Sequence, residues 1–298
     1  MSSTALAFFN GSPTAIGMCV AGIAIVLIGV VPATRAVAAA RGLDKIVALS
    51  CLAYAIPLAV FGALHLFGPQ FVRDLVPRYM PWRMFWVYGI GCALIAAGLS
   101  IATGVAVRWS GLLVGILMFL FVAMIYIPGV VRRPDATLTW TIICRESSFG
   151  GAGWLLAATA MYGWRGQGQR LLTAVGRTAI VPALLFFGVR HFMHPTALPG
   201  VPLARQMPMW VPWREMIGYI TGAGLLATGA SVLLGRNTRT VAACLGGWIL
   251  LTVVLIYGPV LIGALSEPGT PAKVEGINYF ADTLFFSGVI LALARASD

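Results

Sequence analysis

Few side chains in this sequence could do chemistry, and most of them come in matched pairs. Phe61-Gly62-Ala63-Leu64-His65, followed by Pro69, returns as Phe187-Gly188-Val189-Arg190-His191, followed by Pro195, 126 positions later. Pro77-Arg78-Tyr79-Met80-Pro81-Trp82-Arg83 returns as Pro208-Met209-Trp210-Val211-Pro212-Trp213-Arg214, now 131 positions later. At that second spacing Tyr88, Gly98, Arg108, Tyr126 and Pro128 meet Tyr219, Gly229, Arg239, Tyr257 and Pro259. A spacing of 136 pairs Glu146 with Asp282 and Phe149 with Phe285. A register this long does not arise by chance, so the chain holds two copies of one unit.

The paired groups suit a polar ligand. The imidazoles of His65 and His191 can accept or donate hydrogen bonds and move a proton. Arg145 and Arg190 can complement negative charge, and Tyr126 and Tyr257 can orient a ligand. Glu146 and Asp282 need a cationic partner if buried, with Arg145 or Arg190 the candidates. Arg83, His194, Arg214, Glu215 and Asn278 form a second tier. The plain alternative is that His65 and Arg83 snorkel to lipid headgroups while Trp82 and Trp213 join an aromatic belt. Haem is disfavoured: b-type histidine pairs lie mid-membrane on facing helices, and these lie near one surface. These residue types by themselves leave the cofactor unknown. No metal site is expected, because the five cysteines are scattered without a CxxC pair and read as small packing residues.

The elements that must position these residues are membrane helices. A chain of 298 residues that is 59% hydrophobic and 10% charged, with mean hydropathy +0.91, is no soluble domain. Nine apolar stretches are each long enough to cross a hydrocarbon core: 14–31, 46–67, 82–103, 109–131, 139–161, 174–194, 213–234, 240–265 and 277–294. The net charge of +11 does not imply nucleic acid, because the basic residues stand singly at the ends of apolar segments. The expected architecture is all-α and integral to the membrane. One N-terminal helix with a basic inner loop (1–45) precedes a four-helix unit A (46–161), a linker (162–173) and a four-helix unit B (174–298). Four helices per copy is an even number, so the two units are parallel and their pseudo-two-fold axis runs along the membrane normal.

Orientation follows from the first helix. Nothing basic precedes it, whereas Arg35, Arg41 and Lys45 follow it, the reverse of a cleaved secretory signal. Basic residues otherwise divide evenly between the two sides. Setting aside Arg83, Arg145, Arg190 and Arg214, which lie at or within helix ends, leaves the N-terminus outside and the C-terminus cytoplasmic. Helix alternation then brings His65, Arg83, Tyr126, Arg145 and Glu146 to one face. The second copy brings Arg190, His191, His194, Arg214, Glu215, Tyr257, Asn278 and Asp282 to the same face. Two pseudo-symmetric polar clusters are therefore expected on the outer side. Tyr126 and Glu146 are the expected partners of His65; Tyr257 and Asp282 are those of His191.

An F-G-x-x-H near the end of a first helix, a P-x-Y/W-x-P-W segment and four hydrophobic helices together resemble the DoxX/DoxD-like membrane family. The likeness covers about residues 46–161 and again 174–295. It implies a four-helix bundle per unit and a bacterial inner-membrane setting. It also implies kinship with small subunits of quinone-linked sulfur or thiol oxidoreductases and with membrane assembly factors.

Three functions are consistent with these observations. The first is an accessory protein of a quinone-linked redox or envelope system that binds a small or lipid-like ligand in the outer clusters. The second is a small-molecule transporter built from parallel repeats. The third is a ligand-free assembly or structural subunit, with the outer loops 68–81 and 196–212 as its partner surface. Membrane lipids and a redox or envelope complex are the expected partners, and nucleic acid is not.

Overall fold

A computed structural model describes residues 12–161, 166–203 and 205–297. The first eleven residues, linker residues Tyr162–Arg165, Ala204 and Asp298 lie outside them. Among the described residues there is no strand, only an isolated bridge between Ala197 and Gln206. The helices are α1 (Pro13–Ala39), α2 (Asp44–Phe67), α3 (Arg83–Thr103), α4 (Val107–Arg132), α5 (Thr137–Thr159), α6 (Gln167–Met193), α7 (Arg214–Leu234), α8 (Thr238–Ser266) and α9 (Thr270–Arg295). Eight are long and apolar enough to cross a membrane. The other, α5, has 23 residues, about 34 Å at the usual rise. Its polarity comes from Arg145, Glu146 and a run of hydroxyl side chains, and neighbouring helices cover most of it. The chain is thus an all-α integral membrane protein.

Several helices begin before the apolar runs do. α9 starts at Thr270, where Pro271 occupies the first turn and needs no hydrogen-bond partner for its nitrogen. α6 reaches back into the linker to Gln167, and Gln169 Nε2 donates to Ala158 O of α5 at 3.0 Å. Contacts at the helix ends confirm alternation. Thr14 Oγ1 donates to Phe67 O at 2.7 Å, placing the start of α1 beside the end of α2. On the opposite face, Arg239 at the start of α8 pairs with Asp44 at 2.8 Å, and Arg177 near the start of α6 donates to Ala296 O. The first and last described residues therefore lie on opposite faces.

The duplication is repeated in backbone detail. Trp82 and Trp213, 131 residues apart, both take left-handed conformations just before α3 and α7. The turns into α4 and α8 run from left-handed Gly104 to left-handed Ala106, and from left-handed Gly235 to left-handed Asn237. α4 and α8 then contain matched π-turns, Val122–Tyr126 and Val253–Tyr257. Pro128 and Pro259 stand two residues beyond each. A proline offers no N–H to the carbonyl four residues earlier, so the ladder re-pairs over five, Ile127 N–H to Val122 O and Gly258 N–H to Val253 O.

The two units join by exchange of contacts at their ends. Within unit A, α2 packs on α3, α3 on α4 and α4 on α5; within unit B, α6, α7, α8 and α9 follow the same order. The fourth helix of each copy then leans on the first helix of the other, α5 on α6 and α9 on α2. α5 and α9 meet at the centre. There the matched Phe149 and Phe285 stack with ring centroids 4.0 Å apart, as a pseudo-two-fold axis between the copies would bring them. Tyr54 of α2 locks this centre, donating to Phe149 O at 2.7 Å and meeting Phe285 edge-on. α1 packs outside, on α2 and α3.

Candidate functional site

The matched carboxylates do not sit in separate clusters. Glu146 is on α5 and Asp282 on α9, three residues before Phe149 and Phe285 respectively, so both lie beside the pseudo-axis. Arg145, which the repeat matches only with Ala281, lies between them. Its Nη2 is 2.7 Å from Glu146 Oε1 and its Nη1 is 2.8 Å from Asp282 Oδ2. The three side chains are 7–14% exposed, and the guanidinium lies 5.8 Å from the Phe149 ring centroid. Asp282 is therefore no partner of His191, because α9 packs against α5 and carries it to unit A. Nor is Arg145 free to complement an anion: with both carboxylates ionised the triad carries one net negative charge.

The triad forms one end of a cavity of about 470 Å³ inside unit A. His65, Tyr126 and Asn278 are the other polar residues of its lining, and the rest of the lining is apolar. Two polar atoms of these residues, Arg145 Nε and Asn278 Oδ1, are buried without a hydrogen-bond partner, an unusual condition that a bound group would relieve. His65 makes neither expected contact. Its Nδ1 lies 2.7 Å from Phe61 O, one turn back on its own helix. A carbonyl only accepts, so Nδ1 carries the proton and neutral His65 leaves Nε2 as an acceptor on the far side of the ring.

The cavity has a roof and a side opening. Phe71, Val72, Leu75, Val76 and Met80 from the 68–82 loop cover it. Arg83 holds that loop down, donating from Nε to Val76 O at 3.1 Å and from Nη2 to Arg73 O at 2.6 Å. It serves the roof rather than the ligand space. Ile90 and Leu94 of α3 and Leu117 and Leu120 of α4 line the wall. Trp86 and Leu120 both line the cavity and face outward, 39% and 47% exposed. Phe71 and Leu75 of the loop line it too and are 37% and 48% exposed, so the cavity reaches an apolar surface both between α3 and α4 and beside the loop.

Among the described residues the matched space in unit B is filled, and that unit's cavity, of about 450 Å³, lies elsewhere, between loop residues Arg205, Pro208 and Trp210, the end of α8 and the start of α9. Its loop between the first two helices (194–213) is five residues longer than that of unit A (68–82), which is the step in repeat spacing from 126 to 131. The extra length folds inward, burying Leu198, Met207 and Val211 against Ile256 and Tyr257. Tyr257 donates to Pro199 O at 2.8 Å, and His191 Nε2 lies 3.2 Å from both N and O of Gly200. Gly200 has φ +104, and a Cβ there would stand 3.0 Å from Thr283 on α9, so only glycine fits this approach. The gap between α7 and α8 is tied as well. Trp248 Nε1 donates to Thr221 Oγ1 at 2.9 Å, and the positions matched to these in unit A are Leu117 and Ile90.

Two outer clusters were expected, and the structure brings one together. His65, Tyr126, Arg145, Glu146, Asn278 and Asp282 line the unit A cavity. His191 and Tyr257 are turned onto their own loop. The 196–212 segment buries residues 197–202, Met207 and Val211 and leaves Met209 and Trp210 81% and 56% exposed. Arg190 does not line the cavity, and its Nε is buried without a partner. Arg214 is the loop clamp of unit B, 3.4 Å from Met207 O, the contact matched to Arg83 and Val76. His194 and Glu215 are exposed; His194 contributes its backbone to the end of α6, its N–H reaching Arg190 O. Trp82 and Trp213 are 80% and 75% exposed, in keeping with an aromatic belt. The apolar wall was not recognisable beforehand, because Ile and Leu are everywhere in this chain.

Fold and site together define a polytopic α-helical membrane protein with an amphipathic cavity lined by unit A and α9. The chain matches no family model, no curated protein and no solved structure.

Proposed function

We propose that this chain is a tandem-duplicated DoxX/DoxD-like protein of a bacterial inner membrane, an accessory to a quinone-linked redox or envelope system. Its unit A binds one small or lipid-like amphiphile, with the N-terminus outside and the C-terminus cytoplasmic. The observation that carries this reading is the unit A cavity, whose size falls within the usual range for small-molecule sites. It is apolar along its length, polar at one end and open toward lipid. Ionisable groups buried in a membrane are costly and default to function. An Arg with two carboxylates adds little net stability against an apolar replacement. The polar end offers acceptors and hydroxyl or amide donors, which favours a neutral or cationic head over an anionic one.

The test transplants the tie of unit B into unit A. Protein extracted gently, or held in lipid nanodiscs, should carry one amphiphile per chain by native mass spectrometry. The double variant Ile90→Thr/Leu117→Trp should fold and insert normally yet arrive without it. Wild-type protein that is bare, or a folded variant that retains the species, would count against a ligand site.

A further inference from the structure

We infer that the ligand of the unit A cavity is a secondary amide carried on an acyl chain, and that the unit B loop is a built-in copy of it. This rests on the cavity being a ligand site, and it adds the chemical class. In unit B one peptide group is held at both ends. The Pro199 C=O accepts from Tyr257 Oη at 2.8 Å, and the N–H of the same amide, on Gly200, lies 3.2 Å from His191 Nε2. A phenol donates to the carbonyl; His191 Nε2, which is also 3.2 Å from Gly200 O, accepts from the N–H in the tautomer protonated at Nδ1, and in that tautomer the pair reads both polarities of one amide.

Unit A keeps the same two reading groups at the matched positions, Tyr126 at the end of its π-turn and His65 near the end of α2. The bond from His65 Nδ1 to Phe61 O leaves Nε2 as the acceptor, the role its counterpart plays toward Gly200 N–H. The unit A loop is five residues shorter, and its Phe71, Val72, Leu75, Val76 and Met80 line the cavity. The opening between α3 and α4 leads to apolar surface, so an acyl chain leaves through it. The net negative Arg145–Glu146–Asp282 triad accepts hydrogen bonds from a neutral or cationic head. Together these select an amide-linked acyl amphiphile over an ester-linked or anionic one.

The experiment titrates delipidated full-length protein in nanodiscs with N-dodecanoylethanolamine and with its ester counterpart, ethylene glycol monododecanoate, read by native mass spectrometry. The amide should bind once per chain and about tenfold more tightly than the ester, as one buried hydrogen bond permits. His65→Phe should erase that preference by weakening the amide alone. Tyr126→Phe should weaken both probes, because both present a carbonyl. Equal affinity of the two probes overturns the amide assignment while leaving the cavity as a ligand site. Failure of both probes, with endogenous amphiphile still bound to untreated protein, does the same. Failure of both with no endogenous species bound overturns the cavity reading as well. Binding of N-acetyl-Leu-Pro-Gly-amide in place of the acyl amide overturns the lipid origin.

Discussion

At the scale of single residues, the arginine between two acidic groups dominates the energetics. Removing Arg145 leaves two carboxylates buried without a cation, whereas removing all three charges leaves none. Arg145→Met should therefore destabilise the protein by about 3–5 kcal/mol. The triple variant Arg145→Met/Glu146→Gln/Asp282→Asn should recover most of that loss. Thermal unfolding in detergent, followed by tryptophan fluorescence, checks both. His65 behaves differently. Its one hydrogen bond is to its own helix, and even hydrogen bonds between helices in lipid average only about 0.6 kcal/mol. His65→Phe should leave the melting temperature almost unchanged, and a large drop would reassign His65 to structure.

At the scale of elements, small residues decide how closely helices approach. A Cβ on Gly288 of α9 would lie 2.7 Å from Tyr54 N and 2.9 Å from Ala53 C of α2, both backbone atoms that cannot swing aside. On Gly263 of α8 the same Cβ meets nothing within 4 Å. Gly288→Ala should cost about 1–3 kcal/mol through overpacking. Gly263→Ala should be neutral or stabilise by about 0.5–1 kcal/mol. Parallel thermal melts of the two variants give the contrast, which equal shifts would refute. The repeat supplies its own control: α3–α4 and α7–α8 share turn geometry and π-turns, yet differ in the Trp248–Thr221 tie.

At the scale of the whole molecule, the exchange between copies makes the halves interdependent. α5 leans on α6 and α9 on α2, so a fragment of either unit exposes the face that its fourth helix otherwise buries. Fragments 1–165 and 166–298 should each be degraded when expressed alone. Expressed together, they should assemble and survive extraction as a 1:1 complex. Stable monomeric fragments would show that the units close independently. Reporters fused at the two ends should lie on opposite sides of the membrane, as the alternation of helix-end contacts requires.

Much of the fold was legible in the sequence, for a direct physical reason. In lipid every backbone polar group must be satisfied within its own helix, so length and apolarity alone dictate the helices. Matched residues at constant spacing then dictate the duplication, and an even helix number makes the copies parallel. The sequence also held the five-residue step in spacing, between Pro195 and Pro208, which marks where the copies diverge. It could not say where those residues go. That they fold inward to occupy one copy, with Pro199 and Gly200 meeting Tyr257 and His191, depends on packing between segments distant along the chain. The same holds for Asp282, which belongs to unit B in sequence but to the unit A cavity in space. Pairing by copy put it with His191, whereas contact across the pseudo-axis puts it on Arg145. Helices are local and follow from composition; a site shared between repeats is set by how their faces meet, and only the tertiary structure decides that.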